Sequence, residues 1–261
     1  MCLAVGHALA QSASAQMGAR SQGIGYASGC VEDVWAMTNN IAGLANGRAP
    51  VAAVSYNALP SFTPFNRMAA VFALPLLSGN AGVSAFRFGD DLYAEQTLSL
   101  GYADRFGLAS LGVKLNYLEY RAEGFTATRA LTLSFGGIAT ITPDLLFGAH
   151  IVNVNQPIVN ELTGERAPTI LFAGIAAKLS EKLMVAAELE KHLQHMPVAK
   201  AGFEYKAHRK ITFRTGFNLN PQAGFLGLGF NVKRFDLDYA MQLTHAFGLS
   251  HQATVTIPFG E

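Results

Sequence analysis

The charges in the last third of the chain share one parity of an alternating pattern. Glu188, Glu190, Lys200, Glu204, Lys206, Arg214, Lys233, Asp236 and Asp238 all occupy the polar positions of segments whose other positions are apolar. Opposite charges on one face of neighbouring extended segments can pair across a ladder. Two chemistries fit such a face. The charges form a network that fills and rigidifies an interior, or they line a route for a polar solute.

Other candidate groups carry less. His192 and His195 are three residues apart, which places them on opposite faces of a strand. His245 and His251 flank a turn and could approach each other, but no cysteine joins them and no His-Glu-x-x-His motif exists. No metal site and no cofactor are therefore expected. Gly23, Gly25 and Gly29 have the wrong spacing for a dinucleotide loop, and no parallel strand–helix unit follows them. The Gly-x-Ser-x-Gly signature does not occur, so no catalytic residue is assigned and no enzyme is expected. Trp35, Met37, Asn40 and Ile41 form a different kind of candidate. They lie in one compact segment and could gate a hydrophobic ligand through an apolar pocket lined near Trp35, Met37 and Ile41.

The elements that would hold these residues are read from periodicity. From Val51 onward the dominant period is two. Ile211, Phe213, Thr215, Phe217 and Leu219 alternate with Thr212, Arg214, Gly216 and Asn218, and five more such segments follow or precede them in the last third. Earlier strands are expected near 50–60, 66–77, 80–90, 92–104, 107–120, 125–142, 145–155 and 166–180, for about fourteen in all. Turn residues separate them, among them Ser78-Gly79-Asn80, Pro143-Asp144, Asn220-Pro221-Gln222 and Gly248-Leu249-Ser250. The short connections predict an antiparallel meander. Residues 156–165 are the longest stretch without a strand pattern.

Composition decides what the strands build. Among 261 residues, 50% are hydrophobic and only 14% charged, with 19 Lys+Arg against 18 Asp+Glu. An ordinary soluble domain carries roughly 25% charge. Disorder is excluded by the apolar content, a nucleic-acid binder lacks its basic excess, and two cysteines make no disulfide scaffold. No run approaches the roughly 18 apolar residues of a spanning helix. A soluble sandwich would need a charged exterior. A transmembrane barrel reverses the faces, apolar to lipid and polar to lumen, which suits a polar parity rich in Gly, Ser, Thr and Asn. The expected fold is thus all-β, a transmembrane antiparallel meander barrel over 48–261. Aromatic residues at strand ends, among them Tyr102, Phe106, Tyr120, Phe203, Phe235 and Phe259, would form interfacial girdles.

The N-terminal region breaks the alternation. Residues 1–15 read as a signal peptide without its basic start, ending at Ala13-x-Ala15. A frayed apolar N-terminus is the other reading. After such a cleavage Cys30 would be a lone cysteine, expected to be a small buried hydrophobe. Within a 16–47 hatch, 32–45 place Val34, Met37, Ile41 and Leu44 at helical spacing behind an acidic start. A short helix here would plug the barrel from within or lie on the periplasmic surface.

Gly18 to Ala45 resembles the N-terminal signature of the PorV/PorQ family of Bacteroidetes outer-membrane proteins, related in fold to FadL-type barrels. Gly18-Ala19-Arg20, Gly23-Ile24-Gly25, Asp33 and Asn40-Ile41-Ala42-Gly43-Leu44-Ala45 carry it, with Ile41 in place of the family's proline. The segments AAELEKHLQH, VAKAGFEYKAHRKITFRTGFN and FLGLGFNVKRFDLDYAMQLTHAFGLSHQATVTI follow in the family's order. The resemblance implies a cell outer-membrane barrel of fourteen strands with an N-terminal hatch. It also implies a role in type IX secretion and protein transport, with a secretion translocon or an exported protein's C-terminal domain as partner. The FadL side of the relationship implies transport of hydrophobic small molecules instead. Outer-membrane lipid is a partner in either case.

Overall fold

The computed structural model describes residues 15–160, 164–193, 196–245 and 247–260. The expected leader at 1–15 lies, except for Ala15, outside the described residues. The chain forms β1 (Val51–Ala58), β2 (Arg67–Leu76), β3 (Gly79–Gly89), β4 (Tyr93–Phe106), β5 (Ala109–Ala122), β6 (Thr128–Thr142) and β7 (Leu145–Val152). A short hairpin of β8 (Ile158–Asn160) and β9 (Glu165–Arg166) interrupts the series. Then come β10 (Ile170–Ser180), β11 (Leu183–His192), β12 (Val198–His208), β13 (Ile211–Leu219), β14 (Ala223–Val232), β15 (Phe235–Thr244) and β16 (Gly248–Pro258). All but β8 and β9 close into one antiparallel barrel of fourteen strands, sealed where β1 pairs with β16. Closure leaves no unpaired edge, the condition for strands in lipid.

The faces are reversed relative to a soluble protein. In β2, Met68 and Phe72 point out while Ala69, Val71 and Ala73 are buried inside. In β14, Leu226 and Phe230 point out while Phe225 and Gly227 point in. Many lumen polar groups pair with one another. Ser99 Oγ donates to Asn116 Oδ1 at 2.8 Å, and Asn116 Nδ2 donates to Thr132 and Ser134 at 3.0 and 3.1 Å. Gln252 Nε2 donates to Ser55 Oγ at 2.8 Å. Buried polar atoms that pair in this way avoid the desolvation cost of solitary ones.

The two ends of the barrel differ. At the end shared by the start of β1 and the end of β16, every hairpin turn is two residues long: 77–78, 107–108, 143–144, 181–182, 209–210 and 233–234. The opposite end carries the longer connections, including 153–169 with its β8–β9 hairpin. Short turns mark the periplasmic side and long loops the outer side. Two expected turns are displaced, and at the first Gly79 and Asn80, already in β3, pair with Leu76 and Pro75. At the second, Gly248, Leu249 and Ser250 already belong to β16, because Gly248 pairs with Thr244 and the chain reverses just before it. The aromatic girdle is also less regular than expected. Tyr120 faces the lumen and Phe203 sits in mid-strand, since parity fixes only the face and not the height.

Residues 15–47 fill the lumen. The helix expected over 32–45 is instead two separate 3-10 turns, Val34–Met37 and Ile41–Leu44, and among the described residues the one α-helical turn is α1 (Ala19–Gly23). The break has a local cause. Thr38 Oγ1 donates back to the Trp35 carbonyl at 3.0 Å, and Asn40 caps a new turn by accepting from the Ala42 amide at 3.2 Å. Such side chains compete with helix continuation. Asp33 caps the first turn in the same manner, through the Trp35 amide at 2.9 Å. Ile41 thus holds the first position of its turn, a place where proline is also accommodated.

Candidate functional site

The plug and the wall around it make up the candidate site. Room for the plug comes from glycines on the lumen parity. Gly82 and Gly101 face Met37, while Gly101, Gly112 and Gly136 face Ile41; a Cβ on any of these four would collide with the plug. On the opposite wall, Gly202 and Gly216 lie against Ile24, and Gly227 lies against Gly23. The register sets these glycines side by side, with Gly82 opposite Gly101, Gly112 opposite Gly136 and Gly202 opposite Gly216. This explains the abundance of glycine on the polar face.

Trp35, Met37 and Ile41 are 3%, 0% and 2% exposed and belong to one packed core with Val71, Ala73, Phe86 and Ala103. They do not line one apolar pocket. Trp35 borders the periplasmic cavity, Met37 borders a small cavity on the outer side, and Ile41 borders neither. Close packing of these side chains against backbone leaves no void between them. Asn40 is fully buried and acts as a staple. Its Nδ2 donates to the Gly29 carbonyl at 2.7 Å within the plug and to the Gly137 carbonyl at 3.1 Å on β6.

The charges divide into two networks. Lys200 Nζ lies 2.6 Å from Glu190 and 3.2 Å from Glu188, and it donates to Gln16 Oε1 of the plug at 2.9 Å. Glu188 also accepts from the Gly29 amide at 2.6 Å. The second network centres on Glu204. It accepts both Nε and Nη2 of Arg20 at 2.8 Å, and also Nε of Arg214 at 2.7 Å. Arg214 reaches on to Asp238 at 2.5 Å, and Arg20 to Asp33 at 3.3 Å. The Arg20 fork meets the carboxylate with two parallel hydrogen bonds, the stronger geometry for such a pair. Burial works against the charge on Arg20, but Glu204 and Asp33 more than offset it and raise its pKa.

Three of the expected lumen charges stand apart from these networks. Asp236 accepts from Asn231 at 2.6 Å. Lys206 is exposed at the lumen mouth, where its strand rises past the plug. Lys233 is not on the ladder at all, because β14 ends at Val232 and Lys233 opens the next turn. Sequence reasoning did not single out Arg20 as a partner of Glu204, nor Lys114, whose ammonium donates to the Met37 carbonyl at 2.8 Å. Lys114 lies on the lumen parity of β5 between Val113 and Leu115, so the same alternation marks it. Nothing local marks Arg20, whose partner is 184 residues away.

The histidines make no common site. His251 bonds the Tyr239 hydroxyl at 2.6 Å, His192 bonds Glu190 at 2.8 Å, and His195 lies outside the described residues. Cys30 is buried at the plug–wall contact near Ala176 and Ala186, and burial pushes its thiol up to about 12.

Two cavities flank the plug. The periplasmic one has a volume of about 900 Å³ and is lined by both arginines of the Glu204 network, Asp33, Asp236, Asp238, Lys206 and Arg209. The outer one measures only about 70 Å³. Its lining mixes Phe86, Leu118, Ile170 and Phe172 with Gln16, Glu95, Lys114 and His150. The His150 ring stacks on Phe172 at 4.0 Å. Gln16 Nε2 and His150 Nδ1 are buried there without a hydrogen-bond partner among the described residues.

No family model and no curated protein matches the chain. Solved structures do. The Ralstonia pickettii toluene transporter TbuX superposes with a TM-score of 0.68 at 13% identity, covering 94% of this chain and 98% of that one. The fold is FadL-like. The CymD monoaromatic hydrocarbon channel gives 0.73 at 13% identity over 95% and 99% of the two chains. A Pseudomonas aeruginosa FadL homologue gives 0.65 at 11% identity over 95% and 100%. A FadL-like barrel with an apolar outer wall is an outer-membrane barrel. None of these three structures is named as a PorV/PorQ protein.

Proposed function

We propose that the barrel passes hydrophobic small molecules across the outer membrane, with the plug as its gate. The observation that carries this reading is the outer cavity beside the plug. It combines an apolar lining with buried polar atoms that have no partner among the described residues, the mix that orients a ligand. At about 70 Å³ it is smaller than the roughly 150 Å³ that admits benzene. A ligand therefore has to displace plug residues such as Gln16 and Met37 to be seated. The similarity to a toluene transporter and a monoaromatic hydrocarbon channel supports monoaromatic cargo. The ionic and packed contacts of the plug act as the closed state of the gate, and the periplasmic vestibule receives what passes.

Uptake in a strain deleted for the gene tests this. Labelled toluene and a labelled long-chain fatty acid are supplied at limiting concentration, and the secreted proteins are compared in parallel. Slower uptake of either probe with unchanged secretion supports the transport reading. Normal uptake with lost secreted cargo overturns it in favour of a type IX secretion barrel of the PorV/PorQ kind.

A further inference from the structure

We infer that the outer wall over β12–β15 binds one anionic glycerophospholipid of the periplasmic leaflet, its acyl chain in a groove and its phosphate at two basic turns. The acyl groove faces lipid; of the four cations, Arg209 also borders the periplasmic cavity.

The groove is a dent of about 440 Å³ in the membrane-facing wall. Two rows of residues build it, set side by side by the register. One row is Phe203, Thr215, Leu226 and Met241, and the next is Tyr205, Phe213, Leu228 and Tyr239. Thr215 is the short member among large neighbours. Its hydroxyl turns back to donate to the Phe225 carbonyl at 3.0 Å, so it presents a methyl group to the lipid. A furrow of this kind, walled by aromatic rings, fits a hydrocarbon chain.

Charge lies at the periplasmic end of the same four strands. The six periplasmic turns read Leu77-Ser78, Gly107-Leu108, Pro143-Asp144, Glu181-Lys182, Arg209-Lys210 and Lys233-Arg234. Only the last two carry a cation at both positions, and these two turns close β12–β13 and β14–β15. All four side chains are exposed, and among the described residues none lies within ion-pair distance of a carboxylate. Lys210 is three residues beyond Phe213, about 10 Å along the strand, and Lys233 is five beyond Leu228, about 17 Å. The cations thus sit at headgroup height above an acyl groove on the same wall. Basic groups at a membrane surface attract anionic headgroups. A zwitterionic headgroup gives these four cations no net charge to neutralise, so the committed partner is a lipid such as phosphatidylglycerol.

Native mass spectrometry of the full chain in detergent tests the assignment, with phosphatidylglycerol and phosphatidylethanolamine of identical acyl chains as probes. The parent protein is expected to retain phosphatidylglycerol at least tenfold better. The joint variant Arg209→Gln, Lys210→Gln, Lys233→Gln and Arg234→Gln is expected to lose that preference, on the order of fivefold per cation. Thr215→Trp, which fills the groove and leaves the charges in place, is expected to weaken both lipids. Arg105→Gln, outside the two turns, serves as a control that keeps the preference. A heat-resistant band in SDS confirms that each variant is folded. Equal retention of the two lipids by the parent, or an unchanged preference in the joint variant, overturns the proposal. Full displacement by glycerol 3-phosphate also overturns it, since that marks a phosphate site without an acyl chain.

Discussion

Against β3 to β6 the plug meets the wall through Met37 and Ile41 resting on glycines, whereas against β11 to β13 it meets the wall through Gln16, Arg20 and Gly29 bound to carboxylates and a lysine. The first contact is close and mainly apolar, joined by hydrogen bonds from Lys114 to the Met37 carbonyl and from Asn40 to the Gly137 carbonyl. Its strength comes from excluded water and dense packing. The second contact depends on a few charged hydrogen bonds whose loss leaves buried charge behind. For the gate proposed above, a plug that stays in place and leaves on demand benefits from one of each. The apolar side acts as a seat and the charged side as a latch.

Filling the seat should have the largest effect. In Gly136→Leu the new side chain must occupy the space of Asn40 and Ile41. Overpacking of this kind costs about 3 kcal/mol or more. The expected outcome is a barrel that still folds but carries a displaced plug, seen as protease cleavage near Gly43 to Gly47 and as higher conductance in planar bilayers. An intact, protected plug in this variant would show that the glycines are not the seat.

Breaking the latch should cost somewhat less. Glu204→Gln leaves Arg20 and Arg214 facing each other across a neutral amide, with Asp33 and Asp238 as their remaining partners. Removing one member of a buried network costs about 3 kcal/mol. Thermal melting in detergent should fall, and a double-mutant cycle of Glu204→Gln with Arg20→Gln should be strongly non-additive. Additive losses would mean that the two groups are not a coupled latch. Arg214→Leu sharpens the same point. A lower melting temperature with unaltered uptake assigns the charges to stability, while altered uptake of a polar solute would place them on a route.

The smaller prediction concerns the hinge between seat and latch. Asn40→Ala removes the donor that joins Gly29 to Gly137 and should cost about 2 kcal/mol, because one buried and one half-buried carbonyl lose a partner. Its effect on plug protection should lie between the parent and Gly136→Leu.

The wall was legible in the sequence strand by strand, and the plug only as a segment that breaks the alternation, for a physical reason. A strand in lipid has one apolar and one polar face, so covalent alternation writes its parity directly into the chain. Leu226, Gly227, Leu228 and Gly229 show it without ambiguity. The plug touches wall on all sides, so Val34, Trp35, Ala36 and Met37 are all buried and no period distinguishes a helix from a pair of turns. Thr38 to Asn40 held the only local sign of a break. Parity also placed Glu188, Glu190, Lys200, Glu204 and Arg214 on the lumen face, but it could not show that Lys233 lies past the strand end. Nor could it join Arg20 to Glu204, which only the closed fold brings together.

Cys30 offers the mildest test and the one that reads both contacts at once. It lies between them, with its sulfur 3.6 Å from the Gly174 carbonyl and 3.8 Å from that of Leu146. Burial and the nearby Glu188 carboxylate hold the thiol up to about 12, so at neutral pH the reactive thiolate is scarce and shielded. In the parent barrel a maleimide should leave Cys30 unlabelled while it labels a cysteine placed at exposed Leu77. If the charged side is the latch, Glu204→Gln should raise the labelling rate at Cys30 without exposing Gly43 to protease, because the plug swings on its apolar seat. Gly136→Leu should raise both together. Equal patterns in the two variants would show that seat and latch release as one unit, and the division of labour between the two sides of the plug would be lost.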